Sequence, residues 1–236
     1  SSLLVLPSPF PKENRKIRID SQISLYYKDR SRTIVNVYEL IKTAINAKKG
    51  NYFIFCPSFE YLSKLQNRFA EDEDNDNTNL FCQSPGRDDN AQKDFLSHFK
   101  DQTEVSSIGL LVLGGSFNEG VDLVGNRLIG SIIISAGISK INFEQDRIKD
   151  YYDKDDGGAS RKGYAYAYRY PGINRILQAA GRVIRSEEDR GFVLFIDSRF
   201  RQEPYRTIRK ENYEDTIYLF SPSQLKRILS LFWKDE

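Results

Sequence analysis

Short apolar runs, each stopping at a turn-forming or polar residue and alternating with helical patterns, narrow the fold of this chain more than any other feature. The runs are 52–56, closed by Pro57; 108–113, closed by Gly114 and Gly115; 129–135; and 191–197. Runs this short, apolar on both faces, read as strands buried on both sides of a sheet. The segments 33–48, 59–69, 91–99 and 172–185 carry apolar residues at helical spacing, as at Ile34, Val37, Tyr38, Ile41 and Ile45. Strands interleaved with helices predict an α/β fold, a mainly parallel sheet with helices on both faces. Ligands of such sheets bind outside the carboxyl ends of the strands. Ser58, the loop 114–122, and Asp197 with Arg199 follow directly after runs and are the first places to look for a site.

A chain of 236 residues buries one good core, so a single domain spanning 1–236 with an insertion at about 138–170 is expected. The net charge of +2 creates no global field for nucleic acid, which restricts any strand-binding surface to a local patch. No apolar run approaches the ~18 residues of a membrane span and no signal-peptide pattern is present, so no membrane role is expected. Cys56 and Cys82 have no metal-ligand spacing, and no metal site is expected; they fit a reducing, intracellular setting. Methionine is absent and the chain opens on Ser1, as expected of a piece of a longer protein. The acidic stretch 71–79 reads as a solvated loop. In the insertion, Tyr151, Tyr152, Tyr164, Tyr166, Tyr168 and Tyr170 sit among Arg147, Lys149, Arg161, Lys162 and Arg169. Aromatics among basic residues stack bases and hold phosphates. The alternation Tyr-Ala-Tyr-Ala-Tyr over 164–168 reads equally as an extended, half-buried segment.

The segment 178–185, Q-A-A-G-R-V-I-R, carries the chemistry. As one helix, it places Gln178, Arg182 and Arg185 on one edge with Asn174, Arg175 and Gly181 beside them. Ile173, Ile176, Leu177, Ala180, Val183 and Ile184 form the opposite, buried side. Two guanidinium forks on one face suit a polyanion such as a triphosphate. The loop 114–122, G-G-S-F-N-E-G-V-D, allows a tight turn and adds Glu119 and Asp122, which could orient the guanidiniums or accept a ribose hydroxyl. Ser58 opens a helical run; it is either an N-cap or part of a phosphate site. His98 and the cysteines read as structural.

Together these residues resemble the second motor domain of superfamily 2 helicases, in the XPD/DinG group. Gln178-x-x-Gly181-Arg182-x-x-Arg185 is similar to motif VI, and Phe117-Asn118-Glu119-Gly120-Val121-Asp122 to motif V. Phe55-Cys56-Pro57-Ser58 is similar to motif IV, and Ser8-Pro9-Phe10 to the segment after motif III. Tyr170-Pro171-Gly172-x-Asn174 and Asp197-x-Arg199 resemble the DinG-like flanks of motif VI. The likeness runs from about residue 8 to 200; it departs in lacking the prolines usual near 139–143.

The resemblance implies a RecA-like domain of a bacterial, cytoplasmic, ATP-dependent DNA helicase running 5′ to 3′ on single-stranded DNA. Arg182 and Arg185 would be arginine fingers completing an ATP site across a cleft. Gln178, Gly181, Glu119, Gly120 and Asp122 would support that nucleotide site, and Ser58 and Ser116 would touch strand phosphates. No G-x-x-x-x-G-K-[ST] loop and no Asp-Glu pair after a strand occur in the sequence. ATP and Mg²⁺ would therefore be held mainly by an N-terminal motor domain of the same protein, and this chain alone would be inactive. The alternative is a nucleic-acid-binding or regulatory RecA-like module that works without ATP. A metabolic α/β enzyme lacks support, since no G-x-G-x-x-G loop or triad pattern is present.

Overall fold

Alternation along the central strands sets the layers. In β2 (Asn51–Cys56) Tyr52, Ile54 and Cys56 join one hydrophobic cluster, while Phe53 and Phe55 join another on the opposite face. The same split recurs in β5 (Gly130–Ile134), where Ile132 and Ile134 oppose Ile133, and in β6 (Gly191–Ile196). A strand buried on both faces needs helices on both, and the computed structural model has them. It describes residues 10–73, 78–86, 88–115, 117, 123, 125–138, 142–155, 162–207, 213 and 216–234. α1 (Arg30–Ile45), α2 (Phe59–Ala70) and α7 (Pro222–Phe232) cover the first face. α3 (Asp89–Ser97) and α6 (Tyr170–Ala180) cover the second.

The sheet has seven strands in the order β3-β4-β2-β5-β6-β1-β7, with every described pairing parallel. This is the predicted α/β architecture. The four expected strands are β2, β4 (Ser106–Val112, at the second run), β5 and β6; beyond them the sheet contains β1 (Arg15–Asp20), β3 (Thr78–Cys82) and β7 (Ile217–Leu219). β1 escapes a hydrophobicity reading because it is R-K-I-R-I-D. Yet Ile17 and Ile19 are fully buried between β6 and β7, and Arg18 folds back to donate to the Ile17 carbonyl at 2.7 Å. Asp20, at its end, accepts the N–H groups of Gln22 and Ile23 at 2.9 and 3.2 Å. Burial outweighs those bonds and raises its carboxyl above the ordinary range.

The described part of the insertion is helical. α4 (Phe143–Asp155) packs on α5 (Lys162–Tyr164), and a Cβ on Gly163 would fall 2.0 Å from the Lys149 carbonyl oxygen. A π-helical turn, Ala165–Arg169, joins α5 to α6. In it the Tyr170 N–H reaches back to the Ala165 carbonyl, and Pro171, which has no N–H, follows at the start of α6. The extended reading of 164–168 is thus corrected: the alternation of Tyr and Ala is read out at helical, not strand, period. Tyr168 turns inward, 2% exposed, and donates to Asp146 at 2.8 Å. Tyr166 stays 48% exposed and stacks on Tyr152, with ring centroids 4.5 Å apart. Tyr168→Phe should cost about 1 kcal/mol through the lost hydrogen bond and lower Tm by roughly 2–4 °C. Thermal melts of the two proteins check this; an unchanged Tm would show that the bond to Asp146 adds no stability.

Among the described residues no helix is long and apolar enough to cross a membrane. Cys56 is fully buried and its thiol is pushed up by desolvation, while His98 stacks on Phe81 with centroids 4.2 Å apart. Both serve packing.

Candidate functional site

α6 runs against the direction of the strands, and this separates two clusters of candidate residues. At its amino-terminal end Gly172 lies on Gly137, just past the carboxyl end of β5. Gly137 has φ +71°, and a Cβ there would sit 2.4 Å from the Gly172 oxygen. Only glycine allows both the conformation and the approach. At the other end the Ala179 carbonyl accepts from Ser131, near the start of β5, at 3.2 Å. Val183 packs on Gly191, the first residue of β6.

The carboxyl edge carries Ser58, Gly114, Gly115 and Arg199, as expected from their positions after strands. Ser58 is the N-cap of α2, its Oγ accepting the Tyr61 N–H at 3.2 Å, and the residue remains half-buried. Gly114, at φ +83°, lies under Arg175: a Cβ would fall 2.8 Å from Arg175 Cδ. Gln83 accepts the Val112 N–H at 2.8 Å and its amide crowds Gly115, so it braces the start of the loop. No sequence signal marked Gln83 beyond its position after β3.

Arg199 is buried against Asp197, donating to its carboxylate from Nε at 3.0 and 3.1 Å and from Nη2 at 2.5 Å. Asp197 also accepts the N–H of Ala136 and of Arg199. Desolvation by burial would lower the Arg199 pKa, but its hydrogen bonds to Asp197 and that carboxylate's charge raise it above the ordinary value. Tyr26 lies over the guanidinium at 4.9 Å.

The second cluster lies at the amino-terminal edge and corrects the helical reading of 172–185. α6 ends at Ala180, and Gly181 is its C-cap. Gln178 lies in the last turn and is exposed, as is Gly181. Arg182 and Arg185 therefore do not continue its edge; they sit on the turn that follows. The reason is local. Val183 and Ile184 are β-branched, poor helix formers, and both are buried, at 1% and 6% exposure. Asp189, 3% exposed, then captures the backbone: its Oδ2 accepts the N–H of Arg185 at 2.6 Å and of Ser186 at 2.7 Å. Arg182 is 8% exposed, whereas Arg185 is exposed.

The two edges are joined by one stretch of chain. Ser116, Glu119, Gly120 and Asp122 lie outside the described residues. Phe117 and Leu123 are buried in the same core cluster, Phe117 against Phe95 at 4.6 Å. Gly125 then donates its N–H to Asp189 Oδ1 at 2.9 Å. The loop that begins at Gly114 under Arg175 thus ends on the carboxylate that holds the Arg185 turn. Asp189 was missed in the sequence because its role is to bind three backbone N–H groups, which no motif spacing records.

Among the described residues no group of three His, Cys, Asp or Glu could hold a metal ion. Arg185 is exposed at this edge, and a guanidinium is a donor whose geometry suits a phosphate oxygen.

A sequence-family model for helicase C-terminal domains matches residues 41–214. A probable ATP-dependent helicase of Methanocaldococcus jannaschii is 29% identical over 226 residues, covering 90% of this chain and 33% of that protein. The ATP-dependent DNA helicase chl1 of Schizosaccharomyces pombe is 22% identical over 213 residues, covering 83% of this chain and 23% of that protein. This chain therefore spans a third or less of the length of these curated relatives. Among solved structures, apo XPD superposes with a TM-score of 0.63 at 20% identity over 87% of this chain and 40% of that one. An XPD helicase superposes at 0.61 and 19%, over 87% and 35%. At that identity the likeness is one of fold.

Proposed function

We propose, from the premise that this chain belongs to the helicase C-terminal domain family in the XPD/DinG group of superfamily 2, that it is the second motor domain of a DinG-like DNA helicase moving 5′ to 3′. The domain spans 1–236, with the helical insertion at about 138–170. Its partners are single-stranded DNA and an N-terminal motor domain of the same protein. That other domain holds the phosphate cradle and Mg²⁺; this chain alone turns over no ATP.

The observation that carries the reading is the spatial separation of the two edges together with their physical link. Ser58 stands on the carboxyl edge, where a strand can pass. Arg182 and Arg185 stand on the opposite edge, where they would meet a nucleotide held by the other motor domain. Bound ATP supplies the phosphoryl group whose developing charge the arginines stabilise. The connecting stretch contains Ser116, Glu119, Gly120 and Asp122 and ends at Gly125 on Asp189. In this reading Ser116 contacts strand phosphate near one end, and Glu119, Gly120 and Asp122 support the nucleotide side with Gln178 and Gly181. A change at the nucleotide then has a short covalent path to the strand.

The test is directional unwinding by the full-length protein. Duplexes with a 5′ single-stranded tail should be unwound in the presence of ATP and Mg²⁺, and duplexes with only a 3′ tail should not. Strand binding without ATP-dependent unwinding of either substrate would favour the ATP-independent module.

A further inference from the structure

A cavity of ≈ 250 Å³ opens on the carboxyl edge beside Ser58, between the amino-terminal ends of α1 and α2. Its charge is one-sided. Lys28, Arg30 and Lys64 line it, and Glu60, 2.9 Å from Lys64 Nζ, is the one carboxylate among its wall residues. α2 adds the positive end of its dipole. Burial first, and then the nearby Arg199, lower the pKa of Arg30. An anion in the cavity would offset both.

Tyr61 gives an independent sign of a ligand. It lines the cavity, the residue is 2% exposed, and its hydroxyl has no hydrogen-bond partner. A buried hydroxyl without a partner is costly, and such groups are normally satisfied. Desolvation raises its pKa, so it remains a neutral donor. At the mouth stands Tyr27, 73% exposed, with Arg30 at 5.8 Å from its ring centroid. Its neighbour Tyr26, 44% exposed, carries Arg199 in the same way. An exposed aromatic backed by a guanidinium, beside a basic hollow, is the chemistry that grips single strands.

We propose that this cavity seats one phosphodiester group of the bound single strand, held by Lys28, Arg30 and the Tyr61 hydroxyl, with the adjacent base stacked on Tyr27. The assignment rests on the helicase reading above and extends its strand track from Ser58 across the front of α1.

The experiment uses the full-length protein and a fluorescein-labelled oligo-dT, titrated by anisotropy at several salt concentrations. Tyr27→Ala should weaken binding roughly tenfold, and Tyr27→Phe should stay close to wild type, because stacking needs the ring and not the hydroxyl. Lys28→Gln should flatten the slope of log K against log salt by about 0.7, the share of one phosphate contact on a single strand. Both positions are on the surface, so Tm should hold. A strand carrying 5-iodouracil should photo-cross-link to Tyr27. If wild type binds the strand and both variants match it in affinity and salt slope, the cavity assignment is overturned while the helicase reading stands. If wild type fails to bind any single strand, the helicase reading itself fails and this assignment falls with it. Inorganic phosphate is the third arm. Calorimetric phosphate binding lost in Lys28→Gln, with strand affinity unchanged, would make the cavity a free-phosphate site and overturn the proposal.

Discussion

Replacing Arg185 with alanine in the full-length protein should lower kcat for DNA-stimulated ATP hydrolysis by roughly 10³–10⁵-fold, the range for a lost arginine finger, with little change in nucleotide affinity. The argument rests on where the turn gets its shape. Asp189 holds the Arg185 and Ser186 N–H groups and, through its other oxygen, Gly125. These bonds are made by backbone N–H groups, which truncation of the side chain keeps, and the residue is exposed. The turn should therefore persist, and the lost charge acts on the transition state more than on bound substrate. Lysine should rescue poorly, since it lacks the planar fork. Arg182→Ala should lose rate as well, but Arg182 is 8% exposed, so a fall in Tm should accompany it. Steady-state kinetics beside the Kd of a non-hydrolysable nucleotide separate these cases. Near-normal kcat in both alanine variants would remove the finger assignment.

The sequence made the centre of the sheet readable because those strands are apolar on both faces. The runs 52–56, 108–113, 129–135 and 191–197 fall on β2, β4, β5 and β6 within two residues at either end. β1, β3 and β7 were not readable for the complementary reason. β1 carries Arg15, Lys16, Arg18 and Asp20 and is identified only by its partners, and β7 has three residues. Helical periodicity then failed where tertiary contact overrode it. Val183 and Ile184 fit the apolar stripe of a longer helix, but they reach the core through a turn instead, because Asp189 offers their neighbours' N–H groups an acceptor outside the helix. The Tyr/Ala alternation of 164–168 misled in the opposite sense: a period of two arose inside a π-helical turn. Of the site, positions were legible and conformations were not. Ser58 and Arg199 follow their strands as predicted, while the buried partnership of Arg199 with Asp197 needed the fold to bring Ala136, Ser135 and Leu25 around it.

That partnership sets the second large effect. Asp197→Ala should destabilise the domain by about 3–5 kcal/mol, the cost of leaving one buried charge without its partner. Asp197 is fully buried, and its carboxylate takes the Ala136 N–H at 3.1 Å, the Arg199 N–H at 2.9 Å and the Arg199 guanidinium. Its loss strands a cation that is itself 8% exposed and leaves the Ala136 N–H without its acceptor in the loop after β5, where Ser135 already holds φ 101°. For a domain of this size the cost corresponds to a fall in Tm on the order of 10 °C. Asp197→Asn should be nearly as harmful, since it keeps an acceptor but not the charge. Asp197→Leu combined with Arg199→Met should recover much of the loss, because an apolar pair of similar volume carries no desolvation penalty. Melting wild type, Asp197→Leu, Arg199→Met and the double variant closes the cycle: the coupling between the two positions should be large and unfavourable to either single change. An Asp197→Ala protein melting within 2 °C of wild type (roughly the shift for 1 kcal/mol or less) would show that Arg199 finds another counter-charge and that the carboxyl edge is not organised around this pair.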